Sequence, residues 1–140
     1  MWMIPYGAEK NDLEDLEILK KLEITANEYY LVVGRMIPDN NLDFIMEEFS
    51  NANLDKKLVI VGDDIFNSPY AQKIQHIIAS NKNIITTGYI TNYTYLTTLH
   101  KKAFGYIHGH EFGGTNPTLI LALNESCLIL ALNTRFNKEV

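Results

Sequence analysis

The sequence predicts a doubly wound α/β domain built on a parallel sheet of about five strands. Two observations carry that reading. Apolar, β-prone runs alternate five times with segments of helical spacing, and the links between them are short; such alternation calls for parallel pairing through right-handed crossovers. Four of the strand ends also carry glycine beside chemically useful residues: Gly34-Arg35, Gly62-Asp63, Gly88-Tyr89 and the stretch from His108 through Thr115. In a parallel sheet these ends share one edge, and ligands of open α/β sheets bind outside that edge.

Taken in order, Met1 to Ala8 is short, apolar and broken by Pro5 and Gly7, which reads as extended chain. Asn11 or Asp12 caps a predicted amphipathic helix running to about Leu22, with acids early and Lys20-Lys21 late, as the helix dipole prefers. Tyr29-Tyr30-Leu31-Val32-Val33 and Lys57-Leu58-Val59-Ile60-Val61 are continuous apolar strands suited to cover on both faces. Between them, Pro38-Asp39-Asn40-Asn41 forms a turn and cap before a helix in which Leu42, Phe44, Ile45, Met46 and Phe49 recur with helical spacing. Ser68-Pro69 opens the next helix, with Tyr70, Ile74, Ile77 and Ile78 inward. Asn83 to Thr87 is a shorter strand, 92–102 a helix, 104–107 the fourth strand, 116–123 a helix and 127–131 the fifth strand. Residues 133–140 read as a loop leading into a further helix, and the expectation is a single domain over 1–140 that is a fragment of a longer protein.

Composition narrows the classes of function. A net charge of −5 argues against nonspecific nucleic-acid binding, which needs a basic face. No apolar run approaches the roughly 20 residues of a membrane helix, and Met1 to Ala8 has no signal-peptide pattern. The single cysteine, Cys127, reads as a buried thiol and not as half of a disulfide. The expectation is a cytoplasmic globular domain.

The stretch Tyr106-Ile107-His108-Gly109-His110-Glu111-Phe112-Gly113-Gly114-Thr115-Asn116-Pro117 holds the strongest candidate chemistry. An apolar strand turns through glycines, where a ligand can approach the backbone, and enters a helix at Asn116, a good N-cap, and Pro117. Strand, glycine turn and helix N-terminus together form an anion site, and a nucleotide diphosphate fits it; the alternative is an ordinary turn before a well-capped helix. Arg35, ending the first strand, can grip a phosphate bidentately or pair with an acid such as Asp39. His108 and His110 lie at the loop mouth with Glu111. Three or four convergent metal ligands are missing, so these histidines read as partners of a sugar or phosphate, or as satisfied core groups. Asp63-Asp64 resembles a metal-chelating pair but more simply caps the following helix. No Ser–His–Asp triad and no phosphate loop ending in Gly-Lys-Ser/Thr occurs.

Together these residues resemble the C-terminal, donor-binding domain of GT-B glycosyltransferases. Ile4-Pro5-Tyr6-Gly7-Ala8 is similar to the segment leading into that domain. The stretch from Tyr30 to Asn41, with Gly34-Arg35, is similar to its first strand and phosphate-binding arginine. Leu58 to Asp63 and Thr87-Gly88-Tyr89-Ile90 match the next strand ends. The glycine loop from His108 to Leu119, and Phe136-Asn137-Lys138-Glu139-Val140, look like those of bacterial rhamnosyltransferase-type members. The resemblance implies a Rossmann-like fold and retaining transfer from a nucleotide-diphospho-sugar of the dTDP-rhamnose or UDP-sugar type, in cell-surface polysaccharide synthesis, with no cofactor and no required metal. It implies that Gly34 and Arg35 clasp the diphosphate, and that Gly113, Gly114, Thr115 and Asn116 offer it donors. Gly88, Tyr89 and Ile90 would line the base, and His110 or Glu111, the catalytic candidates, would face the donor sugar. The glycan or lipid-linked acceptor would be held by an N-terminal domain missing from this chain, so the 140 residues alone are expected to be inactive. The full enzyme would sit in the cytoplasm, peripheral to the inner face of the membrane.

The chain also departs from the family pattern. Asn40 and Asn41 stand where many relatives have a lysine, and Leu121 stands where they carry a ribose-binding glutamate. A noncatalytic module of the same fold, and a sugar-nucleotide epimerase of GT-B architecture, are the alternatives. The epimerase would need paired carboxylates near the sugar, and only Glu111 is placed for that.

Overall fold

A computed structural model describes residue 7 and residues 11–63, 68–114 and 116–140. Five strands, β1 (Tyr29–Val33), β2 (Lys57–Val61), β3 (Ile84–Thr86), β4 (Gly105–His108) and β5 (Ile129–Ala131), form one sheet in the order β3-β2-β1-β4-β5. Every neighbouring pair is parallel. The chain steps outward from β1 to β3, then returns to lay β4 against the free side of β1. The reversal between β1 and β4 is the topological switch point at which such sheets bind ligands.

The two-residue period of a strand divides the core into two layers. Tyr29, Leu31 and Val33 of β1, with Val59 and Val61 of β2, face α1 (Glu17–Lys21), α4 (Tyr93–Lys102) and α5 (Pro117–Asn124), through Leu19, Leu99, Leu119 and Ala122. Val32, Leu58 and Ile60 point the other way, onto α2 (Leu42–Ala52) and α3 (Pro69–Ser80), through Leu42, Met46, Phe49 and Ile74. Covering both faces is what makes the two central strands continuously apolar. Ser68 caps α3 by accepting from the Ala71 amide, and Asn92 caps α4 by accepting from the Tyr95 amide, both as their residue types predict.

Two local expectations are corrected. The first helix starts at Glu17, not at Asn11 or Asp12. The Asn11 and Asp15 side chains accept from the amides of Leu13 and Glu17, giving the backbone a turn in place of a helical bond. Thr98 Oγ also accepts from the Asp15 amide and straps the segment to α4. Asn41 does not cap α2 with its side chain; it adopts the left-handed conformation, at φ 54°, after a 3-10 turn over Pro38–Asn40. β5 is an edge strand, and Leu128, Leu130 and Leu132 are 57%, 53% and 41% exposed. The run 133–140 enters a further helix as expected, the four-residue α6 (Arg135–Lys138).

Candidate functional site

The carboxyl ends of β1 and β2 open into a cavity of about 420 Å³, walled by Val33, Gly34, Arg35, Val61, Gly62, Asp63, Tyr89, Ile90, Leu96 and Thr118. Its floor is the apolar strand tips and Leu96, and its rim is polar, the usual character of a small-molecule site. β1 and β2 run close together as they leave the sheet. A Cβ on Gly62 would stand 1.8 Å from the Gly34 carbonyl oxygen, so no side chain fits there. The Gly62 amide donates to the Gly88 carbonyl, which brings the turn carrying Tyr89 and Ile90 over the cavity. Tyr89 is 76% exposed at the mouth.

Arg35 lies at this rim, exposed. Among the described residues its guanidinium makes no hydrogen bond or ion pair, so the alternative pairing with Asp39 is not made. Asp39 serves the site through its backbone: its carbonyl accepts from the Glu111 amide at 2.9 Å. Asn40 Nδ2 donates to the Arg35 carbonyl at 2.7 Å and fixes the turn that presents the arginine. A Cβ on Gly34 would meet His110 Cε1 at 3.0 Å, so the tips of β1 and of the glycine loop touch at the switch point.

The histidines differ in position. His108 ends β4 and is 1% exposed, in the core and not at the loop mouth where the sequence suggested it. Tyr106 Oη lies 3.2 Å from His108 Nδ1, and the His108 and His110 rings stack at 4.2 Å between centroids. Burial first, then the adjacent His110, pushes the His108 pKa down to about 4. His110 is also lowered, by burial and then by the charge of Arg35. His110 therefore stands neutral beside a cation near neutral pH, and its Nδ1 is buried without a hydrogen-bond partner among the described residues. Glu111 turns aside. Its carboxylate accepts from Asn41 Nδ2 at 3.1 Å and it borders a neighbouring groove of about 590 Å³ with Phe44, Ile107 and Leu130. His110 touches the Gly34 end of the rim, and Glu111 faces away from the cavity.

Gly113, at φ 139°, and Gly114 are exposed in the turn before α5, and the space around a Cβ on Gly114 is open. Thr115 lies outside the described residues, as do Ile4-Pro5-Tyr6, Ala8 and Asp64. Asn116 occupies the N-cap position in extended conformation, yet its side chain makes no capping bond. Its Nδ2 instead donates to Asn137 Oδ1 at 3.2 Å. Leu121 is buried, 6% exposed, and is not one of the cavity's walls; Thr118, one turn earlier, is. Among the described residues no group of three or more His, Cys, Asp or Glu is arranged to hold a metal ion.

The structure thus gathers Gly34, Arg35, Tyr89 and Ile90 around one cavity, with Gly88 behind them and His110 at the edge. Sequence reasoning missed Thr118 and Leu96 as walls and the asparagines as braces. Asn40, Asn41 and Asn137 each bond a carbonyl of the post-β1 turn or of the glycine loop. The pair Asn40-Asn41 at the lysine position was the available signal, and nothing local marked Asn137 beyond the likeness of 136–140.

No protein-family model matches the chain, and no curated protein matches it in sequence. Solved structures do match. The C-terminal domain of a glycosyl transferase group 1 family protein, LpcC, from Francisella tularensis has a TM-score of 0.65 at 16% identity, over 90% of this chain and 66% of that one. HepE (Alr3699) of Anabaena, solved in complex with UDP, has a TM-score of 0.76 at 12% identity, over 89% of this chain and 35% of that one; HepE is also solved with UDP-glucose. TarM has a TM-score of 0.64 at 16% identity, over 96% of this chain and 24% of that one. The chain therefore spans only about a quarter to a third of the length of TarM and HepE. At these identities the likeness establishes the fold, which is that of the Rossmann-like C-terminal domain of GT-B glycosyltransferases.

Proposed function

We propose that this chain is a donor-binding domain that takes a nucleotide-diphospho-sugar for glycosyl transfer. The observation that carries the reading is the cavity at the carboxyl edge of β1 and β2, with Arg35, unpaired among the described residues, on its rim and the glycine loop meeting it at Gly34 and His110. An arginine with its five donors free is suited to a diphosphate. The fold neighbours solved with UDP and UDP-glucose support the class of ligand. In this reading the nucleoside lies by Tyr89 and Ile90, and the diphosphate lies between Arg35 and the amides of Gly113 and Gly114. His110, neutral, supplies a hydrogen bond near the donor sugar, and Glu111 acts there only if the loop turns it back toward the cavity. As the glycosidic bond breaks, charge grows on the leaving diphosphate, and donors already in place stabilise it without reorganisation.

The finer parts of the proposal are retaining transfer, a rhamnosyl- or UDP-sugar-type donor and no required metal. An acceptor glycan or lipid-linked glycan would be held by a second domain, in polysaccharide synthesis at the cytoplasmic face of a membrane. Calorimetric titration of the chain with UDP and with dTDP tests the core of it. Weak binding is expected, and Arg35→Ala is expected to lower the affinity roughly tenfold or more while leaving thermal stability unchanged. Absence of heat from either nucleotide at millimolar concentration would overturn the reading.

A second reading, a module that kept the fold and lost the chemistry, is favoured by one observation. The residue standing for the ribose-binding glutamate is the buried Leu121. A thermal-shift panel separates the two, since a ligand at 100 times its Kd adds roughly 2.7 kcal/mol of stability and a relic would not respond.

A further inference from the structure

Beyond the walls of the cavity, one side chain ties its parts together. Asn137 lies in α6, where its amide donates to Thr134 Oγ at 3.2 Å. Its Nδ2 donates to the His110 carbonyl at 3.0 Å and to the Leu132 carbonyl at 2.9 Å. Its Oδ1 accepts from Asn116 Nδ2 at 3.2 Å. Both donor hydrogens and one acceptor lone pair of the carboxamide are therefore in use. The partners belong to three separate segments: the glycine loop, the end of β5, and the N-cap position of α5.

We infer that Asn137 is a positioning residue that sets the glycine loop against Arg35. The inference rests on the reading that this loop receives a diphosphate. The chain of contacts runs inward from α6. Asn137 draws the Asn116 side chain away from the cap it would otherwise make, and Asn116 Oδ1 then stands 3.2 Å from where a Cβ on Gly113 would lie. On the other side, the His110 carbonyl is held while the His110 ring packs against Gly34 and stacks on His108. The Glu111 amide, bonded to the Asp39 carbonyl, closes the loop onto the turn that follows β1. The loop is thus pinned at its first half by β1's turn and His108, and at its second half by Asn137 through Asn116. A carboxamide is needed. Aspartate would set a carboxylate against two carbonyl oxygens, and alanine would leave those carbonyls and Asn116 without the bonds.

The test uses the ¹⁵N-labelled 140-residue chain and two variants, Asn137→Ala and the near-isosteric Asn137→Asp. Two readouts are taken: backbone amide order parameters, and the affinities for UDP and for UMP by calorimetry. In both variants the order parameters of Gly113 and Gly114 are expected to fall while those of β1 and β2 hold. UDP affinity is expected to drop roughly tenfold and UMP affinity by less than about threefold, because only UDP carries the second phosphate to the loop. Equal weakening of UDP and UMP would mean a general structural role and would overturn the inference. Unchanged glycine order parameters would overturn it as well. If the unmodified chain binds neither nucleotide, the nucleotide-sugar reading fails, and the glycine order parameters alone decide whether Asn137 sets the loop.

Discussion

Arg35 and His110 show how much a single site residue owes to its surroundings. Arginine at a strand end is a common surface residue, and here its backbone is fixed by Asn40 while its side chain has no partner among the described residues. His110 is kept neutral beside it, so the pair presents one positive charge instead of two in competition. Both residues were legible in the sequence, because glycine-bounded polar residues after apolar runs mark a sheet's ligand edge. The asparagines were not legible, since an amide's value depends on which carbonyls the fold brings to it. Leu121 gives a residue-scale prediction. Placing a carboxylate there, by Leu121→Glu, buries an unpaired charge and is expected to cost about 3 kcal/mol or more, read as a lower urea midpoint. UDP affinity is expected not to rise, because Leu121 stands outside the cavity walls; a gain in affinity would instead place this residue at the nucleoside.

At the scale of elements, the site depends on how closely β1 and β2 leave the sheet. Their register pairs Val33 with Val61, and the next residues, Gly34 and Gly62, nearly touch. Gly62→Ala forces a methyl group into the Gly34 carbonyl, so one of the two backbones must move. The expected cost is about 3 kcal/mol, measured by urea unfolding, together with loss of nucleotide binding as the cavity rim shifts. Wild-type stability in the variant would mean that the two turns are loosely held. The sequence announced these glycines but not their proximity, because a register across a parallel pair is a long-range fact. The first helix shows the same limit. Its apolar spacing was real, yet Asn11 and Asp15 spend their side chains on local turns and shorten it to Glu17–Lys21.

For the whole molecule, pH reports on the core behind the site. His100 and His108 are nearly inaccessible, and each is pushed down to about 4, by burial above all. Their unfolded value is near 6.5, so below that pH the unfolded chain binds more protons than the folded one. The stability tied to each imidazole is complete above about pH 6.5 and is lost as pH falls toward about 4. At pH 5 the loss relative to pH 7.5 is on the order of 2 kcal/mol for each, visible as a falling urea midpoint. A midpoint constant over that range would contradict the burial of both rings. The sequence by itself determined the class of fold, the sites of the central strands and the sheet edge at which the candidate cavity lies, because period, glycine placement and caps are local properties. Only the tertiary structure decided which strands are neighbours, that β5 lies at an edge with Leu130 and its flanking leucines exposed, that His108 is core and His110 rim, and that Asn137 reaches back to the loop. Those outcomes depend on contacts between segments distant along the chain, and no local pattern of residues encodes them.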